Sequence, residues 1–166
     1  VLAGTCGEGA WLTESARADL LRTTVAAAKG RLGIAMQVSD NSADRILEGG
    51  AAAQAGGAEL AVIAPPGFMM NATDANIEAL YIKAIRKSPL PVCLYDLGKL
   101  RGVFVPPAVL TKIYAEPNVV AAKDSSSDPV RMKIALAARK ARPSLRLLTG
   151  DEFHCANYIG GGYDGV

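Results

Sequence analysis

The chain has 166 residues, half of them apolar and a fifth charged, with a formal net charge of +2 at pH 7. That length holds one compact domain with a sizeable core, and the positive mean hydropathy excludes a disordered chain. No run reaches the roughly 18–20 uncharged apolar residues of a membrane helix, and the balanced charge leaves no basic stripe for nucleic acid.

In chain order, Val1-Leu2-Ala3-Gly4 reads as the end of a strand, followed by the glycine-rich turn Gly4-Thr5-Cys6-Gly7-Glu8-Gly9. A helix is expected over 14–29, then an apolar run at 31–38 closed by Ser39-Asp40-Asn41. A second helix over 42–55 precedes a strand at 59–64, which ends in Pro65-Pro66-Gly67. The third helix, 73–87, places Ile77, Leu80, Ala84 and Ile85 on one face, with Thr73 or Asn71 as its cap. A strand at 91–95 ends in Asp96-Leu97-Gly98, and Pro106-Pro107 suits the first turn of a helix over 106–115. The strand at 118–123 ends in Asp124 and three serines. Asp128-Pro129 then starts a helix whose apolar face is Val130, Ile134, Ala137 and Ala138, and Pro143 closes it. A strand at 145–149, a short helix at 153–159 and a glycine turn leading into another strand complete the chain. Short apolar runs bounded by turn residues are strands buried on both faces, so the pattern is α/β with a parallel sheet.

Two architectures share that order, an open doubly wound sheet and a closed (β/α)8 barrel, and both present the carboxyl ends of their strands to ligand. The repeat is monotonous and has no long crossover to mark a switch point, which favours a TIM barrel. The chain touches seven consecutive strand positions, whereas a whole barrel needs roughly 250 residues.

The informative polar residues interrupt apolar strands just before the loops. Lys123 follows Val119-Val120-Ala121-Ala122 directly. An amine at the mouth of an apolar core is the requirement for a Schiff-base lysine, because burial disfavours the ammonium relative to the nucleophilic amine. The competing reading is a lysine that reaches solvent or pairs with Asp124. Tyr95 ends the preceding strand, where a phenol can relay protons or simply pack its ring. Backbone amides in the turn around Thr5 and Cys6 can hold a carboxylate, but the glycine spacing fits no nucleotide fingerprint. Gly150 ends another strand and permits close approach of a substrate. The three serines after Asp124 suit either an anion cradle or a cap for the next helix. Trp11 and Phe68 suit packing or an interface. Cys6, Cys93 and Cys155 are unpaired in spacing, which suits a reducing, cytoplasmic compartment, and Cys93 is expected in the core. His154 is the only histidine, so no multi-histidine metal site can form.

Together these residues resemble a known family. Gly4-Thr5-Cys6-Gly7-Glu8 with Leu12-Thr13-Glu14 is similar to the first signature of the dihydrodipicolinate synthase / N-acetylneuraminate lyase family. Leu94-Tyr95-Asp96, Val120-Ala121-Ala122-Lys123-Asp124 and Leu148-Thr149-Gly150-Asp151 are similar to three further segments, in order and with few gaps. The resemblance implies a single (β/α)8 TIM barrel domain over 1–166, running from the end of strand 2 to the start of strand 8, and hence a longer complete polypeptide. It implies class I aldolase chemistry on pyruvate or a 2-keto-3-deoxy acid, with Lys123 forming the imine and Tyr95 relaying protons. Thr5 and the amides around Cys6 would hold the carboxylate and Gly150 would line the pocket. No metal or organic cofactor is implied, and the expected assembly is a homotetramer.

Several positions depart from the family pattern. Cys6 stands where a second threonine is usual, and Asp96 where asparagine is usual. The arginine of the synthase branch falls by count on Leu100, leaving Arg101 one place later as the substrate-binding candidate. The loop 65–70 holds Phe68-Met69-Met70 and no second tyrosine. These departures favour a sibling acting on sugar-derived 2-oxo acids over lysine biosynthesis. They also motivate a different reading, an inactive 2-oxo acid binding or scaffold protein.

Overall fold

A computed structural model describes residues 1–100 and 102–166. Among these residues six α-helices and five strands alternate: α1 (Glu14–Ala28), β1 (Ala35–Gln37), α2 (Ala43–Ala55), β2 (Leu60–Ile63), α3 (Asp74–Lys87), β3 (Val92–Asp96), α4 (Pro107–Ala115), β4 (Val119–Asp124), α5 (Pro129–Ala141), β5 (Arg146–Thr149) and α6 (Cys155–Gly160). Local chemistry sets the helix starts. Thr13, Ser42, Thr73 and Asp128 each accept a backbone N–H of their own first turn, and each such cap contributes about 1 kcal/mol. Proline occupies the first turn of α4 and α5, where its missing N–H has no intrahelical partner to lose.

All strand pairs are parallel and the sheet order is the chain order, β1-β2-β3-β4-β5. Single parallel bridges, Leu2 to Met36 and Leu148 to Gly165, extend it at either side. Seven strand positions therefore run in sequence, with no reversal of order among the described residues. The doubly wound alternative needs such a reversal, and a barrel does not.

Alternate residues of each strand serve different cores. Met36, Ile63, Val92, Leu94, Ala122 and Leu147 pack with the helices in the main core. Leu60, Val62, Ala64, Cys93, Tyr95 and Ala121 form a second cluster made only of strand and loop residues, on the inner face of the curved sheet. This is the two-sided burial that the uninterrupted apolar runs predict, and Cys93 is buried as expected.

Four expectations are corrected. The run at 31–38 contributes only Ala35–Gln37 as strand, because Arg31 lies in the turn that follows α1, where its guanidinium donates to the carbonyls of Ala27 and Ala28. Of the predicted α5 face, Ile134 and Ala138 pack against the core, but the fully buried positions are Arg131 and Ala135, and Val130 is 54% exposed. The guanidinium of Arg131 has a partner under the sheet that periodicity cannot reveal. The serines do not cap α5, because Asp128 takes that position and Ser127 instead donates to Asp151. Trp11 and Phe68 are exposed, so neither packs in the core.

Candidate active site

Lys123 and Tyr95 are direct neighbours in the β3–β4 register, at the carboxyl ends of their strands. Both side chains point to the inner face, since Ala121 and Cys93, two residues earlier, do so. The Lys123 amine lies over the Tyr95 ring, 4.5 Å from its centroid, a distance at which the ring face attracts a cation. Lys123 is half-buried and makes no ion pair among the described residues. The expected competitor, a pair with Asp124, does not form. Asp124 faces the opposite side, where its carboxylate accepts the Ser126 N–H at 2.8 Å and the Tyr163 hydroxyl at 2.9 Å.

Gly150 closes the approach from β5. Its N–H donates to the Asp124 carbonyl at 2.7 Å. A side chain there would begin 2.5 Å from Lys123 Cε and 2.1 Å from Ser125 Oγ, so the missing Cβ leaves the space that the lysine stem occupies. A cavity of about 410 Å³ opens beside this point and is bordered by Thr5, Tyr95, Leu97, Leu100, Ser125 and Gly150. Thr5 arrives from the turn after the first strand segment, where its carbonyl accepts the Glu8 N–H at 3.1 Å. A larger hollow of about 1020 Å³ lies on the other side of Thr5, against α1 and α2. The smaller cavity is the candidate active site because Tyr95 and Gly150 border it and Lys123 touches both. Of the predicted residues, Thr5, Tyr95, Lys123 and Gly150 therefore gather in one place. Cys6 is exposed and borders neither cavity. Arg101 lies outside the described residues.

The electrostatics beneath the site are those of buried carboxylates. Asp96 and Asp124 are register neighbours on the helix side of the sheet, and both are buried. Asp96 is paired with Arg131. Burial pushes the Asp124 carboxyl above the usual range, and the charge of Asp96 adds to the effect against the hydrogen bonds it accepts from Ser126 and Tyr163. At the rim, Asp151 accepts the Ser127 hydroxyl at 2.6 Å and faces His154 Nδ1 at 2.9 Å. The Ser127 bond, followed by those of His154, holds its carboxyl below the usual range. On the inner face, burial raises the Cys93 thiol to about 11, which keeps it protonated. Arg131 escaped the sequence reading. Its only signal there is that Asp96, an acid ending a fully buried strand, requires a partner.

The family described as dihydrodipicolinate synthetase matches the chain over residues 1–166. A 4-hydroxy-tetrahydrodipicolinate synthase of Stenotrophomonas maltophilia (strain R551-3) is 30% identical over 166 residues, covering all of this chain and 55% of that protein. The chain thus spans about half the length of the curated relatives it matches. Among solved structures, a dihydrodipicolinate synthase of Thermotoga maritima superposes with a TM-score of 0.89 at 23% identity, over 99% of this chain and 56% of that one. A prophage protein of E. coli K12 belonging to the dihydrodipicolinic acid synthase family, solved in complex with pyruvate, gives 0.87 at 22% identity, over 99% and 56%. The fold is accordingly that of part of a (β/α)8 barrel.

Proposed function

This chain belongs to the dihydrodipicolinate synthetase family, and on that premise we propose that it carries the Schiff-base centre of a class I aldolase-type lyase or synthase acting on pyruvate or a 2-keto-3-deoxy acid. The observation that carries the reading is the Lys123 amine held 4.5 Å from the Tyr95 ring centroid, against the side-chain-free Gly150, beside a cavity. The solved relative in complex with pyruvate supports the same ligand class.

In this mechanism the neutral Lys123 amine adds to the 2-oxo carbonyl carbon, and the nitrogen proton moves to the carbinolamine oxygen. Loss of that oxygen as water leaves a protonated imine. Tyr95 donates and retrieves these protons. The imine withdraws electrons from C3, which loses either a proton or its bond to C4 and becomes an enamine. The enamine then takes up a proton or an electrophilic carbon, and water hydrolyses the imine to free Lys123. In this reading Thr5, which borders the cavity, receives the substrate carboxylate, with the turn amides around Cys6 as further donors and Arg101 taken from the sequence alone as an additional cation. The chemistry calls for no metal or organic cofactor, since the lysine nitrogen is itself the electron sink. A homotetramer working in the cytoplasm is the setting that goes with this reading.

The test is borohydride reduction in the presence of pyruvate, or of a panel of 2-keto-3-deoxy acids, followed by peptide mapping. An adduct on the peptide containing Lys123, lost in Lys123→Ala, is the expected result. Absence of any adduct with every compound refutes the proposal.

A further inference from the structure

Arg131 is one of the largest fully buried side chains of the molecule. Its Nε and Nη2 donate to Oδ2 and Oδ1 of Asp96, both at 2.7 Å, in a two-pronged pair whose side chains are 1% and 2% exposed. Its Nη1 donates to the Val105 carbonyl at 2.8 Å, and its guanidinium carbon stands 5.0 Å from the Phe104 ring centroid. Asp96 ends β3, and Val105 directly precedes Pro106, which caps α4. One guanidinium therefore grips both ends of the β3–α4 connection.

Asp96 carries that grip to the site. Its Oδ1 also accepts the Gly98 N–H at 3.0 Å, and its carbonyl accepts the Ser125 N–H at 2.8 Å. Gly98 has φ +53°, and a Cβ there would come within 2.7 Å of that of Ser126, so this turn takes only glycine without strain. Successive strand residues face opposite sides of a sheet. Holding the Asp96 carboxylate on the helix side thus directs the Tyr95 ring to the inner face, against Lys123. A buried ion pair is a poor device for stability alone, since an apolar pair of the same volume does as well or better. A rigid, planar, two-pronged clamp is a good device for orientation.

We propose that Arg131 is a positioning residue for the lysine chemistry, setting the pose of Tyr95 over Lys123 by clamping Asp96 and Val105 at the two ends of the β3–α4 connection. The inference rests on the Schiff-base reading above. The experiment measures the rate of borohydride-trapped pyruvate adduct at Lys123 in the wild type, Arg131→Lys, Tyr95→Phe and the double variant, with circular dichroism to verify folding. Arg131→Lys keeps the charge and loses the fork. It is expected to slow trapping at saturating pyruvate by about 10- to 100-fold, with half-saturation changed by less than about threefold. In the Tyr95→Phe background the same substitution is expected to cost less than about twofold, because its effect passes through the phenol. Equal losses in the two backgrounds, or no loss in either, overturn the positioning role while leaving the imine intact. A wild type that forms no adduct overturns the imine reading and this inference with it. Should Arg131→Lys fail to fold, the charge-free pair Asp96→Asn with Arg131→Met leaves no uncompensated buried charge and enters the same comparison, with the same outcomes decisive.

Discussion

Replacing Gly150 by alanine tests the site at its tightest point. The new methyl carbon would stand 2.5 Å from Lys123 Cε and 2.1 Å from Ser125 Oγ. The serine hydroxyl escapes by rotating about χ1. The lysine stem has Tyr95 on its other side, so restoring an ordinary carbon–carbon contact of about 3.4 Å moves Cε by about 0.9 Å. A displacement near 1 Å at a reacting group costs about 100-fold in rate, or about 2.7 kcal/mol of transition-state stabilisation. Overpacking should also lower stability by about 1–3 kcal/mol. The assay is the rate of pyruvate adduct formation on Lys123 under borohydride, measured alongside urea unfolding. Gly67→Ala serves as control, because nothing lies within 4 Å of a Cβ built there. Trapping in Gly150→Ala at the wild-type rate would show that the glycine does not define the lysine's space, and the site would have to be rebuilt around another group.

The remaining predictions concern the buried polar groups. The Tyr81 hydroxyl is fully buried and has no hydrogen-bond partner among the described residues. Tyr81→Phe is therefore expected to raise stability by about 1 kcal/mol in urea unfolding, and a loss of the same size would reveal a bond to that oxygen. Asp124 titrates above its unfolded value, so its contribution to stability is fully present below the unfolded pKa and is lost as pH rises through the folded one. The melting temperature of the wild type relative to Asp124→Asn should accordingly rise as pH falls from 7 toward 4, and a constant difference would contradict the burial argument. The Asp128 carboxylate accepts the Val130 N–H at 2.8 Å at the start of α5. Asp128→Ala should cost about 1 kcal/mol in the same unfolding assay without slowing adduct formation.

Much of this protein was legible in one dimension because its determinants are local. Apolar runs closed by turn residues marked all five strands, and Thr73 capped α3 where its position before the apolar stripe predicted. Lys123, Tyr95 and Gly150 could be singled out because each interrupts or ends an apolar strand. Parallel strands in sequential order then carry strand ends to a common rim, so residues 95, 123 and 150 converge without any contact having been specified. Thr5 joined them by the same logic, through the bridge of Leu2 to β1.

Other features depend on partners far apart in the chain. Periodicity assigned α5 an apolar face, yet the largest side chain that helix buries is Arg131, 35 positions from the Asp96 that holds it. The three serines looked like one capping or anion-binding unit, but Asp151, 24 residues beyond Ser127, claimed one of them. The side of the sheet on which Asp124 lies, and hence its failure to pair with Lys123, follows from the alternation of a strand packed against helices on one face only. Propensity, capping and turn chemistry are written residue by residue. The neutralisation of buried charge is not, because it needs two groups that meet only after the layers have closed on one another.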